Sequence, residues 1–155
     1  MAPIAPSPAA RSATLDAALN TVRAHGLRAS SARRLLLAAL IAAERPITAE
    51  AIARGLDGRV PPSDVGSVYR NLDALERIGL IRRLRAAHGA ALYALAPPDD
   101  AGYVACDGCG EVRVVDRSVL ATVRSALRDA LGWEATFMQV PIVGLCPDCA
   151  GRAAA

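Results

Sequence analysis

The chain has 155 residues, 53% hydrophobic and 21% charged, with a formal net charge of +3. That is the composition of an ordinary soluble globular protein, with room for one domain or two small ones and a buried core. No apolar run reaches the roughly 18 to 20 residues a bilayer span needs, and prolines break the N-terminus where a secretion signal would carry its apolar stretch, so a cytoplasmic location is expected.

Charge is unevenly shared. Residues 1–96 hold 13 Arg against 7 acids, about +6, whereas residues 97–155 hold 5 Arg against 8 acids, about −3. Every basic residue is Arg, the side chain that forks onto phosphate and reaches a guanine edge. Arginine and alanine enrichment also arises from coding bias, so charge alone leaves the question of a nucleic-acid partner open.

In chain order, residues 13–24 space their apolar positions as a helix and stop at His25-Gly26, where glycine suits a left-handed cap. A second helix is expected after Ser30 or Ser31, with Leu35, Leu36, Ala39 and Ile41 supplying its buried face and Pro46 ending it. Thr48 caps a short third helix, with Glu50 in its first turn and an end near Asp57-Gly58. Ser63 or Asp64 caps a fourth. Its apolar residues Val65, Val68, Leu72, Leu75 and Ile78 share one face, Ser67, Tyr69, Arg70 and Asn71 lie opposite, and Gly79 ends it. The stretches LIRRLRA and ALYALA then form a hairpin through His88-Gly89.

This order is that of a winged helix-turn-helix, in which the fourth helix enters the major groove and the hairpin lies over the backbone. In that frame Arg70 reaches a guanine or a phosphate, Tyr69 lays its ring on a thymine methyl, and Ser67 bonds a phosphate, with Asn71 on the same face. Arg82, Arg83 and Arg85 of the wing, and Arg33 early in the second helix, are candidate phosphate contacts.

APPDDAG breaks the chain where the charge changes sign, so the expected division is a winged-helix domain at 1–96, a hinge at 97–102 and a second domain at 103–155. The second reads as strands YVAC and EVRVVD about a Cys-Asp-Gly-Cys turn, a helix over RSVLATVRSALRDALG, and a further strand over EATFMQVPIVGLC with Pro141 at an edge or bulge. The whole is α+β. So small a unit needs a staple. Cys106 and Cys109, then Cys146 and Cys149 after 36 intervening residues, have the spacing of a closed tetrathiolate zinc site, which is structural because no coordination position stays open. Gly108 and Gly110 permit the first turn and Pro147 shapes the second. A disulfide or redox dithiol is the alternative, and it requires a pair at a helix N-terminus, a setting neither pair clearly has in sequence.

SVYRNLDALERIGLIRRL, followed by YVACDGCG and then VGLCPDC, resembles the ferric uptake regulator family of bacterial metal-responsive transcription regulators over nearly the whole chain. The family's T-V-Y-R-x-L stands here as Ser67 to Leu72, its C-x-x-C-G as Cys106 to Gly110, and its G-x-C-x-x-C as Gly144 to Cys149. The resemblance implies a homodimer formed through the C-terminal domains, presenting two winged helices to a pseudo-palindromic double-stranded DNA operator, with one structural Zn2+ per chain. It implies a regulator, expected as a repressor, and not an enzyme.

The family's sensing residues do not carry over. The histidine-rich run before the first cysteine pair reads Asp99-Asp100-Ala101-Gly102-Tyr103. Other ligand positions read Arg45-Pro46, Ala94, Ala96, Ala121 and Met138. His25 and His88 lie at a helix end and in the wing turn. No regulatory metal site is therefore expected, and Asp99 and Asp100 leave a weak hard-cation site open. Two alternatives remain: a metal-responsive sensor with atypical ligands, and a winged-helix and zinc-ribbon adaptor for a protein partner.

Overall fold

A computed structural model of the chain describes residues 8–43, 45–55, 61–84, 90–97, 101–137 and 141–153. It divides into two compact units, Met1–Arg83 with Leu92–Ala96, and Leu84–Ala91 with Pro97–Ala155. Asp57, Gly58, Arg85, His88, Gly89, Asp99, Asp100 and Met138 lie outside the described residues.

The first unit begins with α1 (Pro8–Ala24), five residues earlier than apolar spacing predicts. Proline is at home in a first helical position, having no N–H to lose, and small alanines extend a helix without needing a buried face. The helix closes as expected at Gly26, whose φ of 73° is left-handed, with Gly26 N–H donating to Arg23 O at 2.9 Å and Leu27 N–H to Val22 O at 3.1 Å. In α2 (Ser31–Ala43), Ser30 is the cap, its Oγ accepting from Arg33 N at 3.4 Å. The core face is Leu36, Leu37, Ala39 and Leu40, while Leu35 and Ile41 are only half-buried, a correction to the sequence-based face. Three consecutive leucines fit two neighbouring phases of a 3.6-residue period equally well, and packing chooses between them.

A two-residue strand, β1 (Ile47–Thr48), precedes α3 (Ala49–Arg54) and pairs antiparallel with β3 (Leu92–Leu95) in the register Ile47 to Tyr93. Thr48 serves both elements, since its Oγ1 also accepts from Ala51 N at 3.1 Å. Helix α4 (Val65–Arg77) buries Val68, Leu72 and Leu75, but Val65 is 44% exposed because the first turn projects beyond the core, which corrects its placement on the buried face. With β2 (Ile81–Leu84) the sheet order is β1-β3-β2. Leu19, Val22, Leu37, Leu72, Ile81 and Tyr93 are each at most 1% exposed. Burying each aliphatic among them contributes about 1.5–3 kcal/mol, and together they form a core in which α2 meets α1, α4 and β3.

The second unit is a three-stranded sheet of order β5-β4-β6, which a helix meets through Leu120. The central β4 (Gly102–Cys106) runs antiparallel to β5 (Val112–Val115) and parallel to β6 (Ile142–Gly144), pairing Cys106 with Gly144. Helix α5 (Arg117–Leu131) ends at Gly132, φ 70°, and buries Leu120. A Cβ on Gly102 would meet Leu120 Cδ1 at 2.9 Å, so glycine lets the helix sit on the sheet. The last strand is much shorter than the stretch EATFMQVPIVGLC suggests. Residues 133–137 are irregular, and Pro141 stands before the strand, where its missing N–H costs the ladder nothing. Helix α6 (Pro147–Ala153) follows.

Candidate nucleic-acid interface and metal centre

Helix α4 is started by Asp64, whose carboxylate accepts from Ser67 N at 2.6 Å, and finished by Gly79, φ 71°, which turns the chain toward β2. Both ends are thus fixed by local chemistry, and the three buried apolar residues set its rotation. Tyr69 (41% exposed) and Arg70 project from it, while Ser67 and Asn71 are half-buried and bonded to each other, the Asn71 amide donating to Ser67 O at 2.8 Å. The Arg70 guanidinium stands 3.9 Å from Asp64 with both side chains over two-thirds exposed, a pair too screened to hold it.

Tyr69 donates its hydroxyl to Glu50 Oε1 at 2.7 Å, tying α4 to α3. That bond lowers the Glu50 carboxyl below its usual range and raises the Tyr69 phenol. Sequence reasoning missed Glu50, since nothing local marks a contact across 19 positions. In the wing strand, Arg83 lies 6.0 Å from the centroid of the buried Tyr93 ring, and Arg82 is half-buried. Arg33 is less free than a solvated arginine: its Nη1 donates to Arg28 O at 2.6 Å, and its buried Nε has no partner among the described residues. His25 ends α1 with Nδ1 2.9 Å from Thr21 O.

Cys106 stands at the end of β4, Cys109 in the turn that follows, and Cys146 and Cys149 flank the start of α6. All four are free thiols, and their sulfurs lie within 4.8 Å of one another. A tetrahedral zinc with sulfurs at about 2.3 Å requires them about 3.8 Å apart. Cys109 and Cys146 meet that separation at 3.8 Å, so the set fits the ion with small inward shifts. Cys106 Sγ accepts from Cys146 N at 3.2 Å and Cys149 Sγ from Arg152 Nη2 at 3.2 Å, donors that offset thiolate charge. Arg152 was not anticipated, although its position one helical turn after Cys149 is the available signal.

The two glycines of the first turn act differently. Gly110 supplies a left-handed φ of 73°, whereas Gly108 supplies space, since a Cβ there would meet Cys149 Sγ at 3.0 Å. Pro147 is the first residue of α6, not a turn residue, so the second pair does occupy a helix N-terminus. The thiolate there is nonetheless not favoured. The Cys149 N–H lowers Cys146, but burial and the neighbouring thiols raise it overall. Cys106 takes the charge instead, lowered to about 6 by the N–H of Cys146 and then that of Cys109. Cys109, despite the Glu111 N–H, is pushed up to about 12 by the other sulfurs. Crowding among the sulfurs thus opposes ionisation of Cys109 and Cys146, a penalty that a bound cation relieves. Among the described residues this is the one cluster of three or more metal-ligating side chains.

A winged helix in the first unit, and in the second a small sheet bearing four convergent thiols, place the chain in the winged-helix class. Residues 24–142 match the ferric uptake regulator family, and the chain belongs to that family, whose members are transcription regulators. It is 25% identical over 138 residues to the peroxide operon regulator of Bacillus subtilis, covering 89% of this chain and 94% of that one. Among solved structures it is similar to the ferric uptake regulator of Helicobacter pylori, described as having three functional metal binding sites (TM-score 0.64, 19% identity, 88% and 93% of the two chains). It is also similar to that of Pseudomonas aeruginosa with manganese (TM-score 0.63, 25% identity, 83% and 96%). No helix among the described residues is long and apolar enough to cross a membrane.

Proposed function

We propose that the chain is a DNA-binding repressor that docks as a homodimer on a pseudo-palindromic operator, with one structural zinc per chain in the four cysteines and no histidine-built sensing site. The observation that carries this is α4, capped at both ends, rotated by its buried face and presenting Tyr69 and Arg70 outward. Arg70 reads a guanine or a phosphate, Tyr69 packs its ring on a thymine methyl, Ser67 bonds a phosphate with Asn71 beside it on the DNA face, and Arg33, Arg82, Arg83 and Arg85 add salt-dependent contacts to the backbone. The division of labour is a winged-helix domain at 1–96, a hinge at 97–102 and a dimerisation domain at 103–155. Apolar surface left open in the second unit, including Val114 (58% exposed), Leu131 (65%) and Trp133 (72%), supports a partner copy there.

The metal-binding relatives favour a second reading, a sensor with atypical ligands. Both are tested by metal content and DNA affinity before and after a mild chelator. One retained zinc per chain with unchanged affinity supports the metal-independent regulator. A removable second metal whose loss abolishes DNA binding supports the sensor, and no salt-dependent DNA affinity in either state overturns both.

A further inference from the structure

Beside the recognition helix, the first unit holds an open cleft of about 760 Å³ lined by Arg23, Arg28, Ser30, Ser31, Arg33 and Asn71. It gathers the last turn of α1, the loop after it, the start of α2 and one residue of α4. Three guanidinium groups line it and no carboxylate is among its described lining residues. Like charges drawn together in one concavity repel unless an anion joins them, and a concave wall of one sign concentrates counter-ions. Arg33 is anchored by Nη1 on Arg28 O and keeps an unpartnered Nε, while Arg23 and Arg28 are exposed, Arg23 also donating to Asn20 Oδ1 at 2.9 Å. One guanidinium is thus fixed and two can close on an oxyanion through forked hydrogen bonds.

We infer that the Arg23–Arg28–Arg33 cleft is a phosphate-binding site, distinct from groove readout by Arg70, that takes a backbone phosphate of DNA or the phosphates of a free polyphosphate. The DNA arm rests on the proposed function; the free-anion arm does not. The cleft is open to solvent and larger than one phosphate group requires, which leaves room for the two phosphates of a pyrophosphate. A free anion there competes with DNA through Asn71, which lines the cleft and is the neighbour of Arg70 on α4.

The test uses the full chain and the double variant Arg23→Gln, Arg28→Gln, which leaves the packed Arg33 in place. Circular dichroism and thermal unfolding check that the variant folds. Duplex affinity is measured from about 50 to 200 mM salt, and pyrophosphate is titrated against both proteins with a thermal-shift readout. The variant is expected to bind any duplex more weakly, with a log K against log salt slope shallower by about one to two units. The parent, not the variant, is expected to be stabilised by pyrophosphate and to lose DNA to it competitively. A changed slope without a pyrophosphate response assigns the site to backbone phosphate. A pyrophosphate response that depends on the two arginines, in a parent that binds no DNA, keeps the site and overturns the DNA reading. An unchanged slope together with equal or absent pyrophosphate responses overturns the proposal.

Discussion

Adding one methyl group at Gly108 should weaken the metal centre more than its size suggests. Its φ lies outside the left-handed region, so Gly108→Ala introduces no backbone strain and isolates a steric effect. The new Cβ would stand 3.0 Å from Cys149 Sγ, 3.1 Å from Cys149 Cβ and 3.3 Å from Leu145 Cδ2. Ordinary contacts between such atoms begin near 3.5 Å, so the sulfur must retreat by about 0.5 Å. Coordination tolerates about 0.2 Å. Overpacking of this kind costs about 1–3 kcal/mol, which at about 1.4 kcal/mol per decade weakens zinc retention by roughly 5- to 150-fold. The assay is zinc transfer to a chromophoric chelator at equilibrium. Gly151→Ala is the control: it lies on α6 with nothing within 4 Å of its Cβ, and replacing a helical glycine should stabilise by about 0.5–1 kcal/mol. If Gly108→Ala holds zinc as firmly as the parent, the packing of the first turn against Cys149 is not what positions that sulfur.

Arg70→Ala should weaken operator binding roughly 5- to 150-fold by fluorescence anisotropy, with unchanged thermal stability, because its side chain is 77% exposed. Tyr69→Phe removes the hydroxyl that lowers the Glu50 carboxyl. The Glu50 titration midpoint, followed by carboxyl NMR, should rise toward 4.5. A lowered folded pKa stabilises above the unfolded value and fades as pH falls through the folded one, so parent and variant should converge in stability below pH 4.5. Leu72→Ala, at a fully buried position, should cost about 2–5 kcal/mol in urea unfolding. Arg152→Ala should speed zinc release without altering DNA contacts, since it removes the donor 3.2 Å from Cys149 Sγ.

What the sequence reveals follows the range of the interaction involved. Thr48, Asp64, Gly26 and Gly79 act on backbone groups within a few residues, so their roles as caps can be read directly. The cysteine spacing is legible for the same reason, because thiolate chemistry constrains each pair locally. The core face of α2 is not, since its leucines are adjacent and the choice among them is made by packing against α1, α4 and β3. Strand β1 is two residues long and exists only because Tyr93 and Leu92 lie opposite it. Glu50 beneath Tyr69, 19 positions away, is likewise a tertiary fact, invisible to periodicity.

The parallel pairing of β4 with β6, and the thiol cluster beyond it, tie together two places with 36 residues between Cys109 and Cys146. An ion across that gap would act as a removable ring closure. By the chain-entropy relation for a cross-link, closing a ring of that length is worth about 4 kcal/mol against the open chain. Stripping the metal would therefore open the ring that includes α5, much as reduction opens a disulfide loop, and returning it would close the same ring without chemistry on the sulfurs. The first unit has its own core and lies outside the ring, so heating a stripped sample should separate one early transition from a later one that the metal does not move.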